Sequence, residues 1–82
     1  MSDYEFGEFW LKSCKRKATL KDGGFVYCDY KEKSDGVNYY YMTAFYRSMY
    51  AYFVVLFMTV EELRTAARKD FMEYAENLYF TV

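Results

Sequence analysis

Polar and apolar positions divide the chain into a strand-rich middle and a helical segment at each end. A first amphipathic helix is predicted over residues 3–15, with Ser2 as N-cap and an apolar stripe at i, i+3, i+4 and i+8: Phe6, Phe9, Trp10 and Cys14. A second helix is predicted to begin at Thr59, because Thr59-Val60-Glu61-Glu62 has the capping-box pattern. Its apolar stripe comprises Leu63, Ala67, Phe71, Tyr74 and Leu78.

Two glycine-containing turn signals organise the middle of the chain. Asp22-Gly23-Gly24 precedes a strand predicted at 25–32, and Ser34-Asp35-Gly36 joins it to a strand at 37–46 as a β-hairpin. Residues 50–58 are apolar on both faces, which predicts a central or doubly covered third strand. Residues 18–21 could add a short strand before the first turn.

These elements predict a single α+β domain over residues 1–82. Its order is an N-terminal helix, a three-stranded antiparallel meander and a C-terminal amphipathic helix, with both helices on one face of the sheet. Within it, AENLYF at 75–80 resembles a protease recognition sequence used to remove purification tags. We therefore place no function on residues 75–82.

Aromatic residues are more numerous than one small core ordinarily needs. The 82 residues include 11 tyrosines, 8 phenylalanines and 1 tryptophan, and a domain of this size buries only about 60 to 65% of its unfolded surface. Residues 37–60 carry much of this surplus, with Arg47 as their single charge. Such a surplus predicts either an aromatic surface that binds a partner or a sheet core with tyrosine hydroxyls at its rim.

Charge and residue usage exclude several function classes. The net charge of -1 gives no global attraction to nucleic acid or anionic membrane. The chain has no histidine, so Ser-His and Cys-His catalytic arrangements cannot be built, and no phosphate-binding glycine loop is present. Cys14 and Cys28 are interpreted as small buried hydrophobes. We expect no enzymatic activity, no cofactor and no metal site.

The leading functional hypothesis is a cytoplasmic, non-enzymatic protein-interaction module without a membrane span. Its partner would be another protein or a second copy in a homodimer, and it is similar in kind to small bacteriophage inhibitors or adaptors that bind host machinery. The predicted partner-binding residues are aromatic apart from one arginine: Tyr39, Tyr41, Phe45, Tyr46, Arg47, Tyr50 and Tyr52.

Two other interpretations compete with this hypothesis. A single-stranded nucleic-acid binder would stack bases on tyrosines and contact phosphates through a basic cluster, using Lys15, Arg16, Lys17, Lys21 and Tyr27. In that reading, KDGGFVYC at 21–28 partly resembles the RNP1 strand of RNA-recognition domains, at Lys21, Gly24, Phe25 and Val26. The second interpretation is a membrane segment over residues 42–60, although Arg47 and Ser48 interrupt it.

Overall fold

A computed structural model describes residues 2–78 of the chain, which form an α+β fold. An N-terminal helix and a C-terminal helix flank an antiparallel sheet, as the sequence predicts. A short 3-10 turn, Glu61–Leu63, connects the last strand to the second helix. The helices are α1 (Asp3–Ser13) and α2 (Arg64–Glu76), and the strands are β1 (Lys21–Asp22), β2 (Val26–Ser34), β3 (Val37–Arg47) and β4 (Tyr52–Val60).

The sheet is a meander in which strands adjacent in sequence are adjacent in space, in the order β1-β2-β3-β4. Within residues 2–78 it has four strands rather than the predicted three, because the two-residue β1 pairs with the start of β2. The predicted β2–β3 hairpin is confirmed. Its turn residues Asp35 and Gly36 have φ values of 50° and 78°, the left-handed conformation that such tight hairpin turns require.

Helix α1 begins at the predicted N-cap. The Ser2 hydroxyl accepts the Glu5 N–H and the Glu5 carboxylate accepts the Ser2 N–H, so the two residues form a capping box. The predicted stripe is only partly correct, because Phe9 and Cys14 are exposed. Gly7 and Leu11 are the helix residues that are buried instead.

The absence of a side chain at Gly7 explains why this face of helix α1 is the buried one. A methyl group at Gly7 would lie 3.1 Å from the Cδ2 atoms of Leu20 and Phe45, so the helix backbone approaches the sheet at this point. Phe6 and Trp10, which flank the glycine on the same side, pack against the core. The close contact therefore selects a buried face that the apolar spacing alone does not.

The two helices lie on opposite faces of the sheet, which corrects the prediction that they share one. Cross-strand pairing puts Val26 and Phe45 on one face, and these residues pack with Leu11 of α1. Tyr40 and Met42 point to the other face and belong to the cluster that includes Ala75 of α2. The sheet is thus the middle layer of three, and each face has its own small core.

Helix α2 begins later than predicted, and its predicted capping box is not formed. Thr59 and Val60 still belong to β4, where they pair with Tyr40 and Tyr39. The N-cap position is Leu63, which makes no side-chain cap. The predicted stripe is also only partly correct, because Leu63, Tyr74 and Leu78 are exposed, whereas the helix packs through Phe71, Met72 and Ala75.

Strand β4 is an edge strand, contrary to the prediction of a central or covered strand. It pairs only with β3 within residues 2–78. Its side chains contact α2 on one face, where the Phe57 and Phe71 rings lie 4.9 Å apart. On the other face Leu56 and Met58 remain exposed, so apolarity on both faces does not here indicate burial on both.

Two further predictions concern segments of the chain as a whole. Residues 75–78 of the AENLYF motif belong to the fold, because Ala75 is buried and its carbonyl accepts a 2.8 Å hydrogen bond from the Tyr46 hydroxyl. Residues 79–82 lie outside the described part of the chain. The segment 42–60 is divided between β3 and β4. No helix between residues 2 and 78 has the length and apolarity needed to cross a membrane.

Candidate protein-interaction face

Helix α1 covers only part of its face of the sheet. Its rings reach Phe45, with ring centroids 5.9 Å away for Phe6 and 5.5 Å for Trp10, and the Phe6 ring also packs against Tyr52 with centroids 4.7 Å apart. These contacts lie toward the end of β3 and the beginning of β4. The opposite half of the same face is left open, and we call Tyr39, Tyr41, Leu56 and Met58 the open face.

Register places the four residues of the open face together. Tyr41 is paired with Met58, and the neighbouring pairs on the same side of the sheet are Tyr39 with Val60 and Thr43 with Leu56. Side chains opposite each other in an antiparallel pair lie about 4.5 to 5.5 Å apart at Cβ. The open face is therefore one continuous surface across β3 and β4.

A row of tyrosine rings in contact fixes the tyrosine side of the open face. Tyr41 stacks on Tyr30 with centroids 5.3 Å apart, and Tyr39 lies 6.5 Å from Tyr41. The row ends at Arg16, whose guanidinium lies 4.6 Å from the Tyr30 ring centre and pairs with Glu32. These contacts hold Tyr41 in place before any partner binds, which lowers the entropy lost on binding.

The β4 side of the open face is aliphatic and strongly exposed. Leu56 and Met58 are 54% and 56% exposed, whereas the opposing Thr43 is fully buried. No residue of β4 from Tyr52 to Val60 carries a charge. The open face therefore joins half-buried tyrosine rings to exposed aliphatic side chains, the combination found in the centres of protein interfaces.

The structure separates the seven predicted partner-binding residues into several groups. Tyr39 and Tyr41 form half of the open face. Arg47 and Tyr52 are paired on the same side of the sheet but at the α1 end. Phe45 is fully buried in the core, so its side chain cannot reach a partner in this fold.

Tyr46 and Tyr50 lie away from the open face. Tyr46 points to the α2 side, where burial raises the pKa of its phenol to about 12 and its hydroxyl donates to helix α2. Tyr50 is 76% exposed in the β3–β4 loop. That loop is held by Ser48, whose hydroxyl oxygen accepts the N–H groups of Tyr50 and Ala51.

Leu56 and Met58 are absent from the predicted binding residues, because the sequence predicts aromatic contacts and a buried third strand. A period-2 signal is nevertheless present, since Val54, Leu56, Met58 and Val60 alternate with Val55, Phe57 and Thr59. The signal shows two apolar faces in β4. It does not show which of the two faces a helix covers, because that depends on where α1 packs.

The residues predicted for nucleic-acid binding do not form one platform. Tyr27 is buried in the α2-side core, where it packs with Phe25, so the RNP1-like segment offers no exposed ring for stacking. Lys21 lies 3.8 Å from Asp29, and Arg16 is engaged by Glu32 and Tyr30. Lys15 and Lys17 are exposed, but the open face itself carries no cation.

Asp29 on the α2 side and Cys28 on the α1 side have shifted pKa values and structural roles. Asp29 accepts a 2.9 Å hydrogen bond from the Tyr40 hydroxyl and lies 3.5 Å from the Arg68 guanidinium. Burial alone would raise the pKa of Asp29, but this hydrogen bond and the charges of Lys21 and Arg68 outweigh it and lower the pKa. Burial, with a smaller effect of Asp29, raises the pKa of Cys28 to about 11, so that thiol is not an activated nucleophile.

The cysteine, aspartate and glutamate side chains of residues 2–78 form no group that could hold a metal ion. Cys14 is exposed, which corrects its interpretation as buried, while Cys28 is fully buried as expected. Comparison of the chain with protein-family models, with curated proteins and with solved structures finds no match.

Proposed function

We propose that this protein is a small, non-enzymatic interaction module that binds a protein through the open face. The observation that carries the proposal is the exposure of Leu56 and Met58 beside Tyr39 and Tyr41 on an uncharged strip of sheet. Fully burying one such aliphatic side chain is worth about 1.5 to 3 kcal/mol. Covering two that are half exposed would supply about 1 kcal/mol each, and the tyrosines would add ring contacts.

The proposed role is that of an inhibitor or adaptor in the cytoplasm, similar in kind to small bacteriophage proteins that occupy host machinery. The small size of the domain and the exposed apolar side chains of its open face support this role. Binding alone would be sufficient for it, because an inhibitor or adaptor acts by covering or joining surfaces.

Site-specific photo-crosslinking tests the proposal inside cells that produce the protein. A photoreactive amino acid is placed at Met58 in the open face, and a matched control carries it at Leu63, which is 57% exposed in the 3-10 turn. We expect a protein adduct from position 58 that is absent from position 63 and is reduced by Tyr41→Ala. Equal adducts at both positions, or none at position 58, would contradict the proposal.

A nucleic-acid role predicts a different result in the same protein. Binding of a fluorescent single-stranded oligonucleotide should then fall steeply with salt and depend on Lys15 and Lys17. Binding through the open face should instead persist or strengthen at higher salt, because burial of apolar surface drives it.

A further inference from the structure

The two edges of the sheet differ in a way that points to self-association. Strand β1 covers only Val26 and Tyr27 of β2, and the rest of that edge carries charged side chains such as Asp29, Lys31 and Lys33. Short edge strands and charges are the usual means by which proteins prevent unwanted strand pairing. This edge is therefore protected.

Strand β4, at the other edge, has none of these protections. It is 9 residues long and contains no charge and no proline. Within residues 2–78 it pairs on one side only, so alternate backbone N–H and C=O groups along the strand face outward. An uncharged edge of this length is a template for another strand.

We propose that β4 pairs antiparallel with β4 of a second copy of this chain, which makes one continuous eight-stranded sheet, twice the four strands of one copy. This inference rests on the proposed function, because Leu56 and Met58 of the open face would contact the second copy across the new strand pair. Pairing all nine residues of β4 requires Leu56 to lie opposite Leu56 on a two-fold axis, Met58 opposite Val54, and Val60 opposite Tyr52. The same register keeps the α1 side of both copies on one face, so the two open faces become contiguous.

The composition of β4 selects a second copy over other occupants. In the self-paired register every cross-strand pair is apolar or a threonine with an aromatic residue, so no like charges meet. Pairing β4 with the β2 edge of another copy would instead bring Lys31 and Lys33 against an uncharged strand, and it would repeat without closing. The two-fold arrangement closes as a dimer and leaves only the protected edges exposed.

The area of the proposed contact determines the dissociation constant that we expect for the dimer. A nine-residue strand is about 30 Å long at roughly 3.4 Å per residue. With side chains on both faces of the edge, it would bury on the order of 500 Å² per copy, near the lower end of specific interfaces. We therefore expect a dissociation constant on the order of 10 µM.

Introducing opposite charges at position 56, on the two-fold axis, tests both the dimer and its register. The solution mass of the full chain is measured by light scattering from about 1 to 500 µM, a range that brackets the expected dissociation constant. Leu56→Lys and Leu56→Glu each place like charges opposite one another, and we expect each to weaken the dimer about 100-fold. A 1:1 mixture of the two variants should restore the dimer mass, and salt should weaken this mixed dimer. Leu63→Lys and Leu63→Glu are matched controls at an equally exposed position outside β4, and both should dimerise like the original protein.

Several outcomes would overturn the inference. These are a monomer mass at all concentrations, unchanged dimerisation of both Leu56 variants, or no recovery in the mixture. A monomer whose Met58 photo-crosslinker captures a different protein would overturn the β4 dimer alone, whereas the absence of any adduct would overturn the proposed function as well.

A cysteine variant keeps the test independent of the folding of the charged variants. Leu56→Cys in a Cys14→Ser background, treated with oxidised glutathione, should form an intermolecular disulfide between the two copies. Leu63→Cys in the same background should not. Equal cross-linking at both positions would contradict the proposed register.

Discussion

Replacing Gly7 by alanine tests whether the close approach of α1 to the sheet determines which face of the helix is buried. At an exposed helical position alanine is favoured over glycine by about 1 kcal/mol. At Gly7 the new methyl group would lie 3.1 Å from both Leu20 Cδ2 and Phe45 Cδ2. Phe45 is fully buried and contacts the rings of Phe6 and Trp10, so its ring has little room to move.

The net effect follows from these two opposing contributions. Overpacking of a well-packed core costs about 1 to 3 kcal/mol, which exceeds the gain in helix propensity. We therefore expect Gly7→Ala to lower the free energy of unfolding by about 1 kcal/mol. Urea unfolding followed by fluorescence of Trp10, the single tryptophan, reports on this contact because its ring lies 5.5 Å from Phe45.

Glu8 supplies the matched control, since it is the next helical residue and is exposed. Glu8→Ala should be about 1 kcal/mol more stable than Glu8→Gly, the opposite sign to the effect at Gly7. All variants are compared at one protein concentration, because self-association would add to apparent stability. A gain of about 1 kcal/mol in Gly7→Ala, equal to that at Glu8, would refute the proposed role of the close contact.

Three further predictions concern polar groups and thiols. Tyr46→Phe should lower the free energy of unfolding by about 1 kcal/mol, because the Ala75 carbonyl loses the hydrogen bond from the Tyr46 hydroxyl. Tyr50→Phe, at an exposed loop position, should have no effect in the same urea titration. Equal effects of the two variants would contradict this prediction. Asp29 has a lowered pKa, so it contributes stability above its unfolded pKa of about 3.9, and this stability is lost as pH falls through the lower folded pKa. Asp29→Asn should therefore reduce the slope of the unfolding free energy against pH, measured by urea unfolding between about pH 2 and 5. An unchanged slope would contradict this prediction. Cys14 should react with a thiol reagent in the native protein while Cys28 reacts only after denaturation, and labelling at equal rates would show that Cys28 is not enclosed.

Local signals in the sequence predicted the parts of the fold that depend on local chemistry. The β2–β3 turn was predicted because Asp35 and Gly36 tolerate positive φ, and both adopt it. The start of α1 was predicted because Ser2 can cap the first turn, and it does. These features depend on residues close in sequence, so they can be recognised before the tertiary packing is known.

Features that depend on packing between distant elements were not predicted. Thr59 has a capping-box sequence, yet its pairing with Tyr40 extends β4 past that point. The buried face of α1 depends on contacts of Gly7 with Leu20 and Phe45, which are distant in sequence.

The same limit applies to the candidate site. Tyr39 and Tyr41 were predicted as binding residues and lie on the open face, but Leu56 and Met58 complete it only because α1 packs elsewhere on that side of the sheet. Phe45 and Tyr46, adjacent in sequence, point to opposite faces, and one is fully buried. Aromatic content therefore predicted two of the four residues of the open face, while register and helix position determine which side chains lie there.

The most direct test of the proposed self-association is the concentration dependence of amide hydrogen exchange in β4. At concentrations well above the dissociation constant, exchange in residues 54–60 should slow relative to dilute protein, because a partner strand then binds the outward-facing N–H groups. Exchange in residues 29–33, on the charged β2 edge, should stay the same. Exchange in β4 that is independent of concentration, or slowing at the β2 edge instead, would contradict the pairing of β4 with a second copy.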